Sequence, residues 1–229
     1  AARLARRIAG GGGPADPADR AWLRRRLAGA TIGQALAEAF AAVAAKRVLP
    51  SMRSLQFGGA AILGNHARLY NCAFSPADRL GFFREYFFLL LGGTGCGFSV
   101  QRAHVGRLPP LAPAPAARRR PVARHVVVDT IEGWADALHA LLRHRFSGGR
   151  LRVVFTGRPA PGRARARRAL QSALSAVDTL LDRAAGRRLR PVEVYDLCMF
   201  LSRAVLAGGA RRAASLCLFS SDDEEMLHA

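Results

Sequence analysis

The chain has 229 residues, half of them hydrophobic, which is enough to bury a core and excludes an intrinsically disordered protein. Its formal net charge is +19, and clustered positive charge can serve a partner that carries phosphate groups. Lys46 is the only lysine, however, so almost all the cations are arginines. This points to a compositional bias rather than a selected binding face, and we do not expect a nucleic-acid partner.

The apolar segments argue against a membrane-spanning protein, and the cysteines argue against a structural metal site. The most apolar stretch, residues 82–91, is too short to span a bilayer and contains two charged residues. No secretory signal is recognised, so we expect a cytoplasmic protein with reduced thiols and no membrane partner. No CxxC or CxxH pair occurs, and no structural metal site is predicted. The four widely spaced cysteines are Cys72, Cys96, Cys198 and Cys217.

The N-terminal quarter of the chain predicts a lead followed by helices. Residues 1–20 are rich in glycine, proline and arginine and predict a flexible lead. Apolar residues then recur at helical spacing, which predicts a helical segment over 21–48 that is interrupted near Gly29. Pro50 ends the helical pattern. Residues 51–57 predict a strand or an extended loop that leads to a glycine turn.

Strands and helices alternate over the rest of the chain. Strands are predicted at 68–74, 97–100, 126–128, 151–155 and 213–219. Helices are predicted at 82–91, at 131–143 with Thr130 as the N-cap, at 170–185 and at 191–206. A last, acidic helix start is expected to be capped by Ser220 or Ser221. Residues 109–121 and 157–165 predict loops. The alternation predicts a mainly parallel α/β sheet or barrel.

Three glycine-rich segments adjoin predicted strands: GGTGCGFSV (92–100), TGRPAPG (156–162) and AGGARRAA (207–214). Glycine lets the backbone approach a ligand, and its exposed amides can cradle phosphate. The first segment matches neither the Walker A pattern nor the dinucleotide-binding pattern, and taken alone it is better explained by a helix C-cap with a tight turn. In the third, two arginines could pair with phosphate or could simply be solvated.

Cys72 lies in the stretch YNCAFSP (70–76), at the end of a predicted short strand. A free cysteine packs in a core as a small hydrophobic residue. A redox cysteine, in contrast, must be accessible and able to ionise. The local pattern leaves both interpretations open.

Five segments, taken in order, resemble one family. They are PSMRSLQFGG (50–59), RLYNCAFSP (68–76), FFLLLGGTGCGFSVQ (87–101), HVVVDTIEGWADAL (125–138) and VYDLCMFLSRAVLAGGARRAASLCLFSSDDEEM (194–226). The chain from about Lys46 onward resembles the adenosylcobalamin-dependent (class II) ribonucleotide reductases, especially the ribonucleoside-triphosphate reductase branch. The resemblance implies an α/β fold in which 49–229 form the first half of a ten-stranded α/β barrel, preceded by the short helical segment.

The resemblance also implies roles for individual residues. Cys72 matches the redox cysteine that delivers reducing equivalents to the ribose and becomes half of a disulfide. Cys96, Cys198 and Cys217 are expected to be structural. Residues expected near the substrate are Ser51, Asn71, Thr94, Gly95 and Gly97. Residues expected at the effector site and its loop are Asp78, Gly208, Gly209, Arg211 and Arg212.

The implied reaction reduces ribonucleoside triphosphates, or diphosphates, to 2′-deoxyribonucleotides by a cobalamin-initiated thiyl-radical mechanism. The implied cofactor is adenosylcobalamin, bound mostly by regions absent from this sequence. The implied partners are a ribonucleotide substrate, a deoxynucleotide effector and a thioredoxin-like reductant.

The sequence also departs from the family pattern. The radical-bearing cysteine and the second redox cysteine have no counterpart here, so we expect an N-terminal fragment that has no turnover alone. Residues 143–165 are shorter than the corresponding family segment, and Ala210 and Ala213 replace bulkier or hydroxylated residues. Two alternatives stay open: a non-catalytic basic module that binds nucleotides or nucleic acid, and a decayed remnant without activity.

Overall fold

The computed structural model describes residues 32–113, 122–159, 163–207 and 214–229. The chain divides into two compact units, 1–56 and 57–229. In the first unit, helix α1 spans Ile32–Ala44, inside the predicted helical segment. The predicted flexible lead lies outside the described residues.

The prediction of a strand or an extended loop at 51–57 is wrong, because helix α2 spans Met52–Phe57. Ser51 explains the difference. Its hydroxyl accepts a hydrogen bond from the Ser54 amide at 3.1 Å, and its carbonyl accepts one from the Leu55 amide at 3.1 Å. A serine that follows a proline break is a good helix N-cap, and this signal outweighs the strand-like pattern.

The second unit contains the sheets. Its described strands are β1 Cys72–Pro76, β2 Gly95–Ser99, β3 Val122–Val127, β4 Arg150–Phe155 and β5 Ser215–Leu218. Its described helices are α3 Ala60–Gly64, α4 Leu80–Leu91, α5 Arg102–Val105, α6 Ile131–Phe146, α7 Ala164–Arg183, α8 Pro191–Ala207 and α9 Glu224–Leu227. None of the helices in these residues is both long and apolar enough to cross a membrane.

All the strand pairings described are parallel, which confirms the predicted α/β class. Strand β2 lies between β1 and β5 in one sheet, and β3 pairs with β4 in another. Parallel neighbours need crossover connections, and helices provide them here. The described residues thus form a three-stranded and a two-stranded sheet, and the ten-stranded barrel stays a prediction.

The core lies between the sheets and the helices. Helix α4 buries Phe82, Phe83, Tyr86, Phe87 and Leu90, which recur at helical spacing. The rings of Tyr86 and Phe98, on β2, meet edge to face with centroids 5.3 Å apart. The helix therefore fixes one face of β2 against the core.

The structure confirms one predicted cap and corrects another. The Thr130 hydroxyl accepts from the Gly133 amide at 3.0 Å and caps α6, as predicted. At α9 the cap is Asp223, whose carboxylate accepts from the Met226 amide at 3.3 Å, and not Ser220 or Ser221. A carboxylate suits the positive end of a helix, and the Ser220 hydroxyl instead accepts from the Arg102 amide at 3.2 Å.

Two boundaries also differ from prediction. The first residues of the predicted Cys72 strand belong instead to a 3-10 turn, His66–Leu69, which is capped by Asn65: its side-chain oxygen accepts from the Ala67 amide at 2.9 Å. Strand β1 therefore begins at Cys72. Helix α7 begins at Ala164, within the predicted loop, because arginine and alanine favour helix and extend the pattern backward.

Candidate functional site around Cys72

The N-terminal ends of β1 and β2 bring four predicted residues together: Asn71, Cys72, Thr94 and Gly95. Cys72 and Gly95 are register partners. The Gly95 amide donates to the Asn71 carbonyl at 2.9 Å, and the Thr94 hydroxyl donates to the Tyr70 carbonyl at 3.0 Å. Thr94 is buried, so its hydroxyl positions the backbone that precedes the cysteine and does not face an open cavity. The glycine segment thus anchors the thiol.

Accessibility separates Cys72 from the other thiols. All four cysteines are free, Cys72 is exposed, and Cys96 and Cys198 are buried. Burial, reinforced by the neighbouring Cys72, raises the pKa of Cys96 to about 11. Burial also raises the pKa of Cys217 to about 11. Because a reactive thiol must be accessible to its partner, the exposed Cys72 is the thiol best placed to react.

The strand register also separates the thiols in space. Side chains alternate between faces along a strand, so Cys72 and Gly95 share one face while Cys96 and its partner Ala73 share the other. Cys217 pairs with the buried Phe98 and lies on the core face with Cys96. Cys72 therefore cannot form a disulfide with Cys96 or Cys217 without rearrangement of the sheet.

The face that carries Cys72 is open and apolar. Phe74, Leu216 and Leu218 lie on it and are 55%, 63% and 45% exposed. Gly97 lies between Phe74 and Leu216 in the register. A Cβ atom on Gly97 would come 2.7 Å from Cδ2 of Phe74, so the glycine lets the ring lie across β2. The thiol lies at the N-terminal end of this flat surface.

Other predicted site residues lie elsewhere. Asp78 follows the C-terminal end of β1, and its carboxylate pairs with Arg79 at 2.9 Å and Arg107 at 3.6 Å. It is therefore at the opposite end of the strand from Cys72. Ser51 lies in the first unit, where it caps α2. The predicted loop residues Gly208, Gly209, Arg211 and Arg212 lie outside the described residues.

A cluster of hydroxyl groups near this sheet is absent from our sequence predictions. The Tyr86 hydroxyl is 2.9 Å from Ser202 Oγ and 2.7 Å from Ser215 Oγ, and the two serine oxygens are 3.2 Å apart. Burial raises the pKa of Tyr86 well above its usual range. The cluster ties α4 and α8 to the first residue of β5. A tyrosine among the phenylalanines of α4 was the available signal.

In sequence, the chain is similar to proteins named adenosylcobalamin-dependent ribonucleoside-triphosphate reductase. The protein of Lactobacillus leichmannii is 41% identical over 58 residues, which are 25% of this chain and 8% of that protein. The protein of Lacticaseibacillus paracasei is 26% identical over 198 residues, covering 66% of this chain and 26% of that protein. The chain thus matches about a quarter or less of the length of these relatives. No protein-family model matches.

The fold agrees with the sequence comparison. A crystal structure of a B12-dependent (class II) ribonucleotide reductase superposes with a TM-score of 0.57 and 24% identity, over 69% of this chain and 30% of that chain. The chain is therefore similar in sequence to adenosylcobalamin-dependent ribonucleoside-triphosphate reductases and in fold to a class II ribonucleotide reductase. The likeness in fold covers more of the chain than the 58-residue segment of 41% identity.

The cofactor in the relatives' names does not fit the described residues. A corrin needs an enclosing site, whereas the Cys72 face provides only one flat apolar wall. A groove of about 850 Å³ beside α6 is lined by apolar residues such as Leu80 and Phe146 together with Asp136, His139 and Arg143, and it includes no residue of the Cys72 face. In the part of the chain that the structure describes, no group of three or more His, Cys, Asp or Glu could hold a metal ion. We therefore assign no reaction step to adenosylcobalamin.

Proposed function

We propose that this chain supplies a redox thiol and part of the nucleotide-facing surface of a ribonucleotide reductase. The observation that carries the proposal is the position of Cys72, an exposed free thiol beside the glycine segment at the edge of an open apolar face. The relatives by sequence carry the name of this enzyme class. An exposed thiol in a chain whose other thiols are at least half-buried is suited to exchange with an external reductant.

The overall reaction needs two thiols. A ribonucleotide loses its 2′-oxygen as water, while two thiols give up two electrons and two protons and become a disulfide. Cys72 would be one of these thiols. The second must come from a segment other than β2 or β5, since Cys96 and Cys217 lie on the opposite face of the sheet.

The substrate and partners follow from the same proposal. We expect a ribonucleoside triphosphate or diphosphate to lie along the open face, near Asn71 and the segment from Thr94 to Gly97. A thioredoxin-like protein would reduce the Cys72 disulfide, and the exposure of Cys72 allows such contact. A deoxynucleotide effector would engage the loop at 208–213 and Asp78. Asp78 would have to leave its two arginine partners to do so.

Thiol protection tests the proposal. Alkylation of Cys72 by iodoacetamide is followed with and without a ribonucleoside triphosphate, with inorganic triphosphate as the matched control. We expect the nucleotide to slow alkylation and inorganic triphosphate to have little effect. Equal rates at saturating nucleotide would contradict the proposal.

Turnover provides the second test. We expect the purified chain, given adenosylcobalamin and a dithiol, to form no deoxynucleotide, because only one of the required thiols is exposed. Product formation would show that the chain is catalytically sufficient. A broad, non-cooperative urea transition would instead favour the decayed remnant.

A further inference from the structure

Three arginines lie on the exposed face of the β3–β4 sheet. Arg124 and Arg152 are register partners on the two parallel strands, and Arg150 pairs with Val122. The alternation of exposed and more buried positions along both strands places these arginines on one face, which also carries Val122 opposite Arg150 and Val126 beyond Arg124. Neighbouring strands are about 4.8 Å apart, and alternate residues along a strand are about 6.6 Å apart.

These three guanidinium groups have no carboxylate or other hydrogen-bond partner among the residues that the structure describes. Some arginines elsewhere in the same unit are paired with carboxylates: Arg187 bonds Glu193 at 2.6 Å, and Arg145 bonds Asp182 at 2.7 Å. Like charges directly opposite each other on neighbouring strands repel. An anion shared between Arg124 and Arg152 would remove that repulsion and satisfy both groups.

The shape of this face favours an extended anion over a small one. Small-molecule sites are concave and largely enclosed, whereas this surface is an exposed sheet face, with Val122 and Val126 55% and 45% exposed. Guanidinium groups pair bidentately with phosphate oxygens. The spacing of Arg150 and Arg152 along β4 suits successive phosphates of one extended strand. No aromatic side chain lies among these positions, so base stacking would contribute little.

We propose that the exposed β3–β4 face binds the phosphodiester backbone of single-stranded nucleic acid without sequence preference, through Arg124, Arg150 and Arg152. This site is separate from the Cys72 face and does not depend on the reductase proposal. Each phosphate neutralised on a single strand contributes about −0.7 to the slope of log K against log salt. Three contacts therefore contribute a slope of about −2, or about a 16-fold loss of affinity between 50 and 200 mM salt.

The test compares two variants of equal charge. The first is R124A/R150A/R152A, and the matched control is R165A/R168A/R203A, which removes three exposed arginines from α7 and α8. Binding of fluorescent single-stranded DNA and RNA oligonucleotides is measured across a salt series. We expect the first variant to flatten the salt slope by about 2 and the control to change it by less than about 0.5.

Three results would overturn the proposal: no binding by the unmodified protein at low salt, equal loss in both variants, or equally tight binding of poly-glutamate of matched charge. Equal loss would show that net charge alone drives binding, and poly-glutamate binding would show that phosphate is not selected. Circular dichroism confirms that each variant is folded. If the triple variant unfolds, R152Q replaces it, with an expected slope change of about 0.7.

Discussion

The carbonyl oxygen of Val128 occupies the space in which a Cβ atom on Gly133 would stand. The Val128 side chain is also close, with its own Cβ atom 2.9 Å from that position. The Gly133 amide meanwhile donates to the Thr130 hydroxyl at 3.0 Å. The first turn of α6 is therefore pressed against the segment that leaves β3, and the backbone itself selects glycine here.

We expect Gly133→Ala to lower the free energy of unfolding by about 1–3 kcal/mol, as overpacking does, because a backbone oxygen cannot move aside as a flexible side chain can. Gly81→Ala is the matched control. A Cβ atom there would meet only Glu85 Oε1 at 3.5 Å, an ordinary contact. Gly81 lies in α4, so alanine should be neutral or stabilise by about 0.5–1 kcal/mol. Urea unfolding measures both, and equal effects would contradict the geometry.

Glu193 should make stability depend on pH in the acid range. Burial raises its pKa, but hydrogen bonds from the Arg187 guanidinium and the Arg190 amide and side chain outweigh burial and lower the pKa to about 2. A carboxylate with a lowered pKa stabilises the fold above its unfolded pKa, near 4.5, and this contribution is lost as pH falls toward about 2. Stability measured by urea unfolding should decline across that window.

Substitution isolates this contribution. We expect Glu193→Gln to cost about 3 kcal/mol at neutral pH, because it breaks a buried charged network, and the difference from the unmodified protein should shrink toward pH 2. Glu225→Gln is the control, since Glu225 also pairs with Arg190 but its side chain is 49% exposed. Its cost should stay within about 1 kcal/mol. A pH-independent deficit in Glu193→Gln would show that packing, and not charge, is lost.

Thiol reagents should distinguish Cys72 from the other cysteines. At pH 8 a thiol with a pKa of about 11, as for Cys96 and Cys217, is ionised in only about one molecule per thousand. The buried Cys198 has a pKa raised well above its usual range by burial and by the neighbouring Cys217 and Cys96. We expect one fast-reacting thiol in the folded chain and four in urea, counted with a chromogenic disulfide. Cys72→Ser should abolish the fast phase, and its persistence would exclude Cys72.

The hydroxyl cluster should contribute measurably to stability. Tyr86→Phe removes two hydrogen bonds while keeping the ring that packs against Phe98, and we expect a loss of about 1–2 kcal/mol. Tyr195→Phe, on α8, is the matched control, because the Tyr195 hydroxyl has no hydrogen-bond partner among the described residues. It should be near neutral. Thermal unfolding compares the two, and equal losses would argue against the cluster.

The sequence predicted the elements whose local signals agree with their packing. For helix α6 the sequence predicts a threonine N-cap and an apolar face. In the structure Thr130 caps the helix and the apolar residues are buried. The sequence failed where a single polar side chain decides the local geometry. Ser51 turns a strand-like pattern into a helix, and Asn65 starts a 3-10 turn before β1. Such decisions depend on which hydrogen bond forms, and periodicity does not contain that information.

The candidate site was predictable in part. The order of the motifs pointed to Asn71, Cys72, Thr94 and Gly95, and the strand register brings them together. The positions of these residues on particular faces could not be read from the sequence, because they depend on the register between strands that are far apart in the chain. For the same reason, the sequence did not predict that Arg124 and Arg152 lie opposite each other.

The pairing of β2 with β5 also has a consequence for how the protein folds. Cys96 is paired with Ser215, so the sheet that carries the thiol cannot be completed until nearly all the described chain is available. Pairing between strands that are far apart in the sequence gives a high contact order. The chain must lose loop-closure entropy before these contacts form, and this slows folding. During synthesis, the edge of β2 that pairs with β5 would stay unpaired until β5 is made, and Phe74 on the neighbouring β1 would be exposed. Aggregation can compete with folding during this interval.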